Sequence, residues 1–219
     1  MRRLLFEKTG NAIWISHLDL MRVFQRAFKR AGLPLTHTQG FNPRPSVSIA
    51  LPLSVGVASH CELLDFDLDG DAISNDEICN RLNQSLTDGI RVLNVYEDGR
   101  KLRDLSLLRC AIYLEYDSCV PVMSEERIRG LFGREEVIVP RRTKNGIQDQ
   151  NIISMIKNLS LCRISDQELK IDALICCQNP TLNPMQIPAA IALHLPDAQP
   201  DFSKCCRIEI YDLEEKVFR

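Results

Sequence analysis

Residues 16–32 read SHLDLMRVFQRAFKRAG, and this stretch decides how the first half of the chain folds. Ser16 suits a helix N-cap, and Asp19, three residues on, can answer the unpaired N–H groups and the positive helix end. Leu18, Met21, Phe24, Phe28 and Ala31 recur at three- and four-residue spacing, while Arg22, Arg26, Lys29 and Arg30 occupy another face. The spacing predicts a helix with one packing face and one cationic stripe. Gly32-Leu33-Pro34 ends it, with glycine just past the last turn and proline beyond.

Outward from this helix, strands are expected on both sides. Arg3–Lys8 precedes it, and Leu35–Gln39 and Ser46–Val57 follow, separated by the proline-stiffened stretch Gly40–Pro45. Cys61–Leu68 alternates acidic and apolar residues, the pattern of a strand with one wet face. Ser74 opens a second helix over Asn75–Leu86, with Glu77 completing a capping box, and Ile90–Tyr96 closes the set as a strand. Strand, helix, strand, strand, helix, strand is the split βαβ, ferredoxin-like order.

The order recurs after the polar linker DGRKLRD (residues 98–104). Leu107–Tyr116 reads as a strand and Ser124–Phe132 as a helix capped by Ser124. Glu136–Arg142 reads as a strand leading into the hairpin signal Lys144-Asn145-Gly146. Asp149–Leu159 is apolar at helical spacing (Ile152, Met155, Ile156, Leu159) and reads as an inserted helix. Leu169–Cys177, Pro184–Leu195 and Cys205–Tyr211 complete a strand, a helix and a strand. The expected fold is α+β: two tandem ferredoxin-like (βαββαβ) units with antiparallel sheets, over residues 1–98 and 105–219.

The composition is that of an ordinary globular chain: 219 residues, 45% hydrophobic and 26% charged. No apolar run approaches the roughly 18–20 residues of a membrane helix, and MRRLLFEKTGN reaches charge and glycine too early for a signal peptide. A cytoplasmic protein with no membrane partner is expected. The nine cysteines contain no C-x-x-C spacing, so free thiols are expected rather than disulfides, a metal site or an iron–sulfur cluster. No cofactor is expected.

Charge is unevenly distributed. Residues 1–60 carry eight basic and two acidic groups, a net of +6, and residues 61–100 carry three basic and ten acidic, a net of −7. Either the two segments neutralise one another or the first presents a patch to phosphate. Three constellations could use it. His17 begins the first helix, where the dipole disfavours protonation and suits a base, with Asp19 beside it. In QGFNPRP (residues 39–45), two prolines fix the backbone around Arg44, and Phe41 can stack on a base, with Gln39, Asn42 and the preceding His37 nearby. Arg141, Arg142 and Lys144 form a basic hairpin tip.

Taken together, WISHLDLMR (residues 14–22), AGLPL (31–35) and QGFNPRPSVSIALPLSVGV (39–57) resemble the radical-SAM-linked proteins, a bacterial family of unknown function. RRTKNG (141–146) and DQNII (149–153) resemble it more loosely. The resemblance implies a radical SAM protein as partner and an RNA- or ribosome-related setting. This chain has no cysteine triplet for such an enzyme's cluster, so it is expected to be an accessory or substrate-recognition module, binding RNA through Asp19, Arg22, Arg26, Gln39, Phe41, Asn42 and Arg44. The alternative is a metal-independent RNA endonuclease, similar in fold to CRISPR RNA-processing endonucleases, with His17 or His37 as base and Arg44 stabilising the transition state.

Overall fold

A computed structural model describes residues 1–70, 73–143 and 146–219. The chain is α+β, with four α-helices among the described residues, and divides into two compact units: Met1–Leu102 with Arg219, and Arg103–Phe218. No helix among those residues is long and apolar enough to cross a membrane.

The first unit contains β1 (Arg2–Lys8), α1 (His17–Arg30), β2 (Val47–Ile49), β3 (Val57–Phe66), α2 (Asn75–Ser85) and β4 (Ile90–Glu97). Antiparallel pairing gives the order β4-β1-β3, and β2 pairs antiparallel with β3. The helical spacing in residues 16–32 becomes packing. Leu20, Phe24, Ala27 and Phe28 are buried, Phe24 meets Phe6 edge-on at 4.7 Å between ring centroids, and Phe28 meets Phe66 at 4.9 Å. Burying each such ring contributes on the order of 1.5–3 kcal/mol. Ser16 and Ser74 cap α1 and α2 by accepting from the Asp19 and Glu77 amides, each at 3.2 Å.

Two expectations change in this unit. The extended run after the first helix is regular only over Val47–Ile49. The acidic strand, expected to have one wet face, is buried on both: Glu62 and Asp65 lie inside, and Arg3, directly opposite in the ladder, holds Asp65 through two hydrogen bonds of 2.5 and 3.0 Å. Alternation of acid and apolar residues signals water only when no cation waits across the sheet. Arg3 also donates to the Arg100 carbonyl, and the chain at Gly99 passes so near that a Cβ there would stand 2.9 Å from the guanidinium.

The second unit contains β5 (Leu107–Glu115), α3 (Ser124–Phe132), β6 (Ile138–Thr143), β7 (Gly146–Asn151), β8 (Ile156–Ser165), β9 (Glu168–Cys176), α4 (Gln186–His194) and β10 (Phe202–Tyr211). Its sheet runs β10-β5-β9-β8, antiparallel throughout, and β6 and β7 form a separate two-stranded ladder. Asp149–Leu159 is therefore not an inserted helix. A single 3-10 turn at Ile153–Met155 buries Ile152 and Met155, and the remainder is the end of β7 and the start of β8, which pairs along β9. Sheet pairing overrode the helical spacing. Nor does Ser124 cap α3. Met123, at φ +65°, takes the cap position without a side-chain bond, and Ser124 is the first helical residue.

Candidate nucleic-acid interface

The start of α1 is set by a buried cation. Lys8, wholly enclosed at the end of β1, donates to the carbonyls of Ile13 (3.1 Å) and Ile15 (2.8 Å), and this fixes the 3-10 turn Gly10–Trp14 that precedes the helix. Asp19 is engaged on both oxygens. The Ser16 hydroxyl donates to one at 2.7 Å and Arg22 to the other at 2.8 Å, and these bonds, Ser16 first, hold its carboxyl below the ordinary carboxylate value. The carboxylate thus links the capping Ser16 hydroxyl to Arg22. His17 has its Nδ1 enclosed without a hydrogen-bond partner.

The segment of net charge +6 does not simply neutralise the segment of −7. Arg2 pairs with Glu97, Arg3 with Asp65, and Arg30 donates to the Ser85 carbonyl, so three cations are tied to residues 61–100. Among the described residues, the side chains of Arg26, Lys29 and Arg44 make no hydrogen bond or ion pair, and all three are exposed.

Gln39–Pro45 sits on a narrow flap. The Thr36 amide bonds the Asp67 carbonyl (3.0 Å) and the Ser46 amide bonds the Thr36 carbonyl (2.7 Å). Higher up, the Thr38 amide donates to the Arg44 carbonyl (2.8 Å), the Arg44 amide returns a bond to the Thr38 hydroxyl (3.1 Å), and His37 bridges Pro45. Gln39, Asn42 and Arg44 are exposed, and Phe41 at the tip is fully exposed. A phenyl ring held clear of its own protein leaves both faces open for stacking.

The structure does not bring the two first-half constellations together. The flap is rooted beside Asp67, past the last residue of β3, whereas the turn before α1 is tied to Gly56, just before its first. Ten residues of strand place these roots about 33 Å apart. Among the described residues no hydrogen bond, ion pair or ring contact joins His17, Asp19, Arg22 or Arg26 to Gln39, Phe41, Asn42 or Arg44. Arg44 shares the flap with His37, not with His17.

In the second unit, Arg141 and Arg142 are exposed on β6, opposite Gln148 and Ile147 of β7. Lys144 lies outside the described residues. The hairpin is held by the Ile152 amide on the Val137 carbonyl and by His194 Nε2, which donates to the Ile138 carbonyl at 2.8 Å. One surface was not anticipated from the sequence: a groove of about 510 Å³ on the sheet, lined among others by Arg109, Cys162, Lys170, Asp172 and Tyr211. Arg109 clasps Asp172 through two bonds of 2.9 and 3.0 Å, and the Lys170 ammonium stands 5.8 Å over the Tyr113 ring. The available signal was the placing of Arg109 with Tyr113, and of Lys170 with Asp172, on one face of each strand by two-residue spacing.

All nine cysteines are free thiols. The hydrogen bond it donates to Cys205 and burial push the Cys110 thiol up, and burial pushes Cys206 up to about 11. Neither is a ready thiolate. Among the described residues no three His, Cys, Asp or Glu side chains are placed to hold a metal ion.

Two sheet-and-helix units of antiparallel strands define an α+β protein, and the same general fold occurs in a solved structure. A chain in the crystal structure of a Cbf5-Nop10-Gar1 complex is similar at a TM-score of 0.53 and 10% identity, over 95% of this chain and 48% of that one. A chain from the structure of an H/ACA RNP bound to a substrate RNA containing 2'-deoxyuridine aligns at a TM-score of 0.40 and 9% identity, over 94% of this chain and 56% of that one. This chain thus spans about half the length of each. By sequence it belongs to the bacterial family DUF2344, described as an uncharacterized protein conserved in bacteria, whose model matches residues 2–184. Comparison with curated proteins gives no match.

Proposed function

We propose that the chain is an RNA-binding accessory module of a radical SAM enzyme, built of two ferredoxin-like units and working in the cytoplasm. The fully exposed Phe41 ring, held beside the unpaired Arg44 on a doubly hydrogen-bonded flap, is the observation that carries the RNA half. Sequence-tolerant binding of single strands uses this pairing, an aromatic face for the base and a cation for the phosphate. Arg141 and Arg142 add a second cationic contact of the kind that positions a backbone without reading it. The strand orders β4-β1-β3 with β2 on β3, and β10-β5-β9-β8, support the ferredoxin-like assignment. The radical SAM partner rests on the resemblance carried by WISHLDLMR and QGFNPRPSVSIALPLSVGV. The lack of a closely spaced cysteine triplet fits a division of labour in which the partner carries the cluster.

Fluorescence anisotropy of a labelled single-stranded oligouridylate tests the RNA half. Affinity should fall as salt rises, and Arg44→Ala should shallow the slope by about one counterion. Affinity independent of salt, or unchanged in Arg44→Ala, would remove it.

A further inference from the structure

The outer face of α1 is left over when the RNA is assigned to the flap. Trp14, Leu18 and Val55 are 61, 70 and 53% exposed at the end of the first unit where α1 begins. Trp14 is held in place there: the Gly56 amide donates to the Ile13 carbonyl at 2.8 Å, and a Cβ at Gly56, whose φ is +80°, would stand 3.4 Å from the indole. From Leu18 the helix continues with Arg22 and Arg26, one and two turns on, and then Lys29, all exposed on the same side. An apolar knob thus runs directly into a row of cations.

We infer that this face docks an acidic amphipathic segment of a protein partner, its apolar side chains seated on Trp14, Leu18 and Val55 and its carboxylates facing Arg22, Arg26 and Lys29. The inference rests on the accessory-module reading and names the surface through which such a module would be held. Charge complementarity selects an acidic occupant. Two things favour protein over RNA. Leu18 and Val55 are aliphatic and offer no face on which a base stacks, whereas stacking is the main apolar contact of single-stranded nucleic acid. Tryptophan and arginine, both present on this face, are instead among the residues enriched at the energetic centre of protein interfaces.

Two-dimensional NMR of the full ¹⁵N-labelled chain provides the test, with a synthetic amphipathic helical peptide bearing a leucine stripe followed by glutamates. Its Glu→Gln and Glu→Lys versions and an oligouridylate serve as comparison probes. The acidic peptide should shift the Trp14 indole N–H and the amides of Leu18, Arg22, Arg26 and Gly56. Arg26→Glu with Lys29→Glu should weaken it about tenfold, as loss of facing charge pairs does, with affinity recovered by the lysine peptide. Both positions are exposed and unpaired, so the variant should fold. Leu18→Ser should weaken every peptide, and Phe41→Ala none. The inference is overturned if the acidic peptide leaves these resonances unmoved, if the glutamine peptide binds equally well, or if oligouridylate moves them instead. Loss of oligouridylate binding at the flap with peptide binding intact would end the RNA reading and leave this one standing.

Discussion

Each unit lays an arginine–aspartate pair across its two central strands, and only one of the two pairs is enclosed. Arg3 and Asp65 join β1 to β3 with side chains 4 and 8% exposed, while Arg109 and Asp172 join β5 to β9 at 49 and 28%. Geometry is alike, two parallel bonds in each case. The first pair is covered, in part by the chain at Gly99–Arg100, whereas the second lines an open groove. A shared strand order therefore settles where such a pair stands, and what covers it settles whether it is structural or available. The units also share an insertion. Between first helix and second strand, each carries a hairpin with exposed arginine: the flap with Arg44, and β6–β7 with Arg141 and Arg142. The first offers an aromatic tip and few ladder bonds, the second a full ladder.

Substitutions at the two pairs and the two hairpins test these differences. Arg3→Met leaves the Asp65 carboxylate enclosed without its partner and should cost about 3–5 kcal/mol, read from urea unfolding. Phe41→Ala should weaken single-stranded RNA binding by about 1–3 kcal/mol without moving the thermal midpoint, because the residue is fully exposed. By contrast, Arg141→Ala with Arg142→Ala should weaken all sequences alike and shallow the salt slope by about one per cation. Arg109→Met, the exposed counterpart of the first variant, should cost only about 0.2–1 kcal/mol. Equal costs for Arg3→Met and Arg109→Met would break the comparison.

Smallest is the effect of Asp19. Its folded-state pKa is depressed, first by the Ser16 hydroxyl and then by Arg22, so its contribution is present above the unfolded carboxylate value and is lost as pH falls through the folded one. Unfolding followed downward from about pH 5 should show this loss, and Asp19→Asn should flatten that part of the profile.

Much of the first unit was legible because its local signals agree. Ser16, the Phe24–Phe28 face and Gly32 all point to one helix, and Ser74 with Glu77 to another. The second half was less so because two local signals misled. Ile152, Met155, Ile156 and Leu159 keep helical spacing, yet a 3-10 turn buries the first two and β8 takes the others into pairing with β9. Met123 starts α3 from a left-handed backbone conformation that nothing in its side chain announces. Of the site residues, exposure of Phe41 and Arg44 follows from their proline-bound loop. That His17 and Asp19 stand at the far end of β3 from them depends on the path of the chain, which residue spacing does not reveal.

The flap's role in RNA binding is tested most directly by photo-crosslinking the full chain to an oligonucleotide containing 4-thiouridine and mapping the modified peptide. An adduct is expected on Phe41 or its immediate neighbours, lost with Phe41→Ala. Adducts found only on peptides away from residues 37–45, or none at concentrations where the RNA is bound, would contradict it.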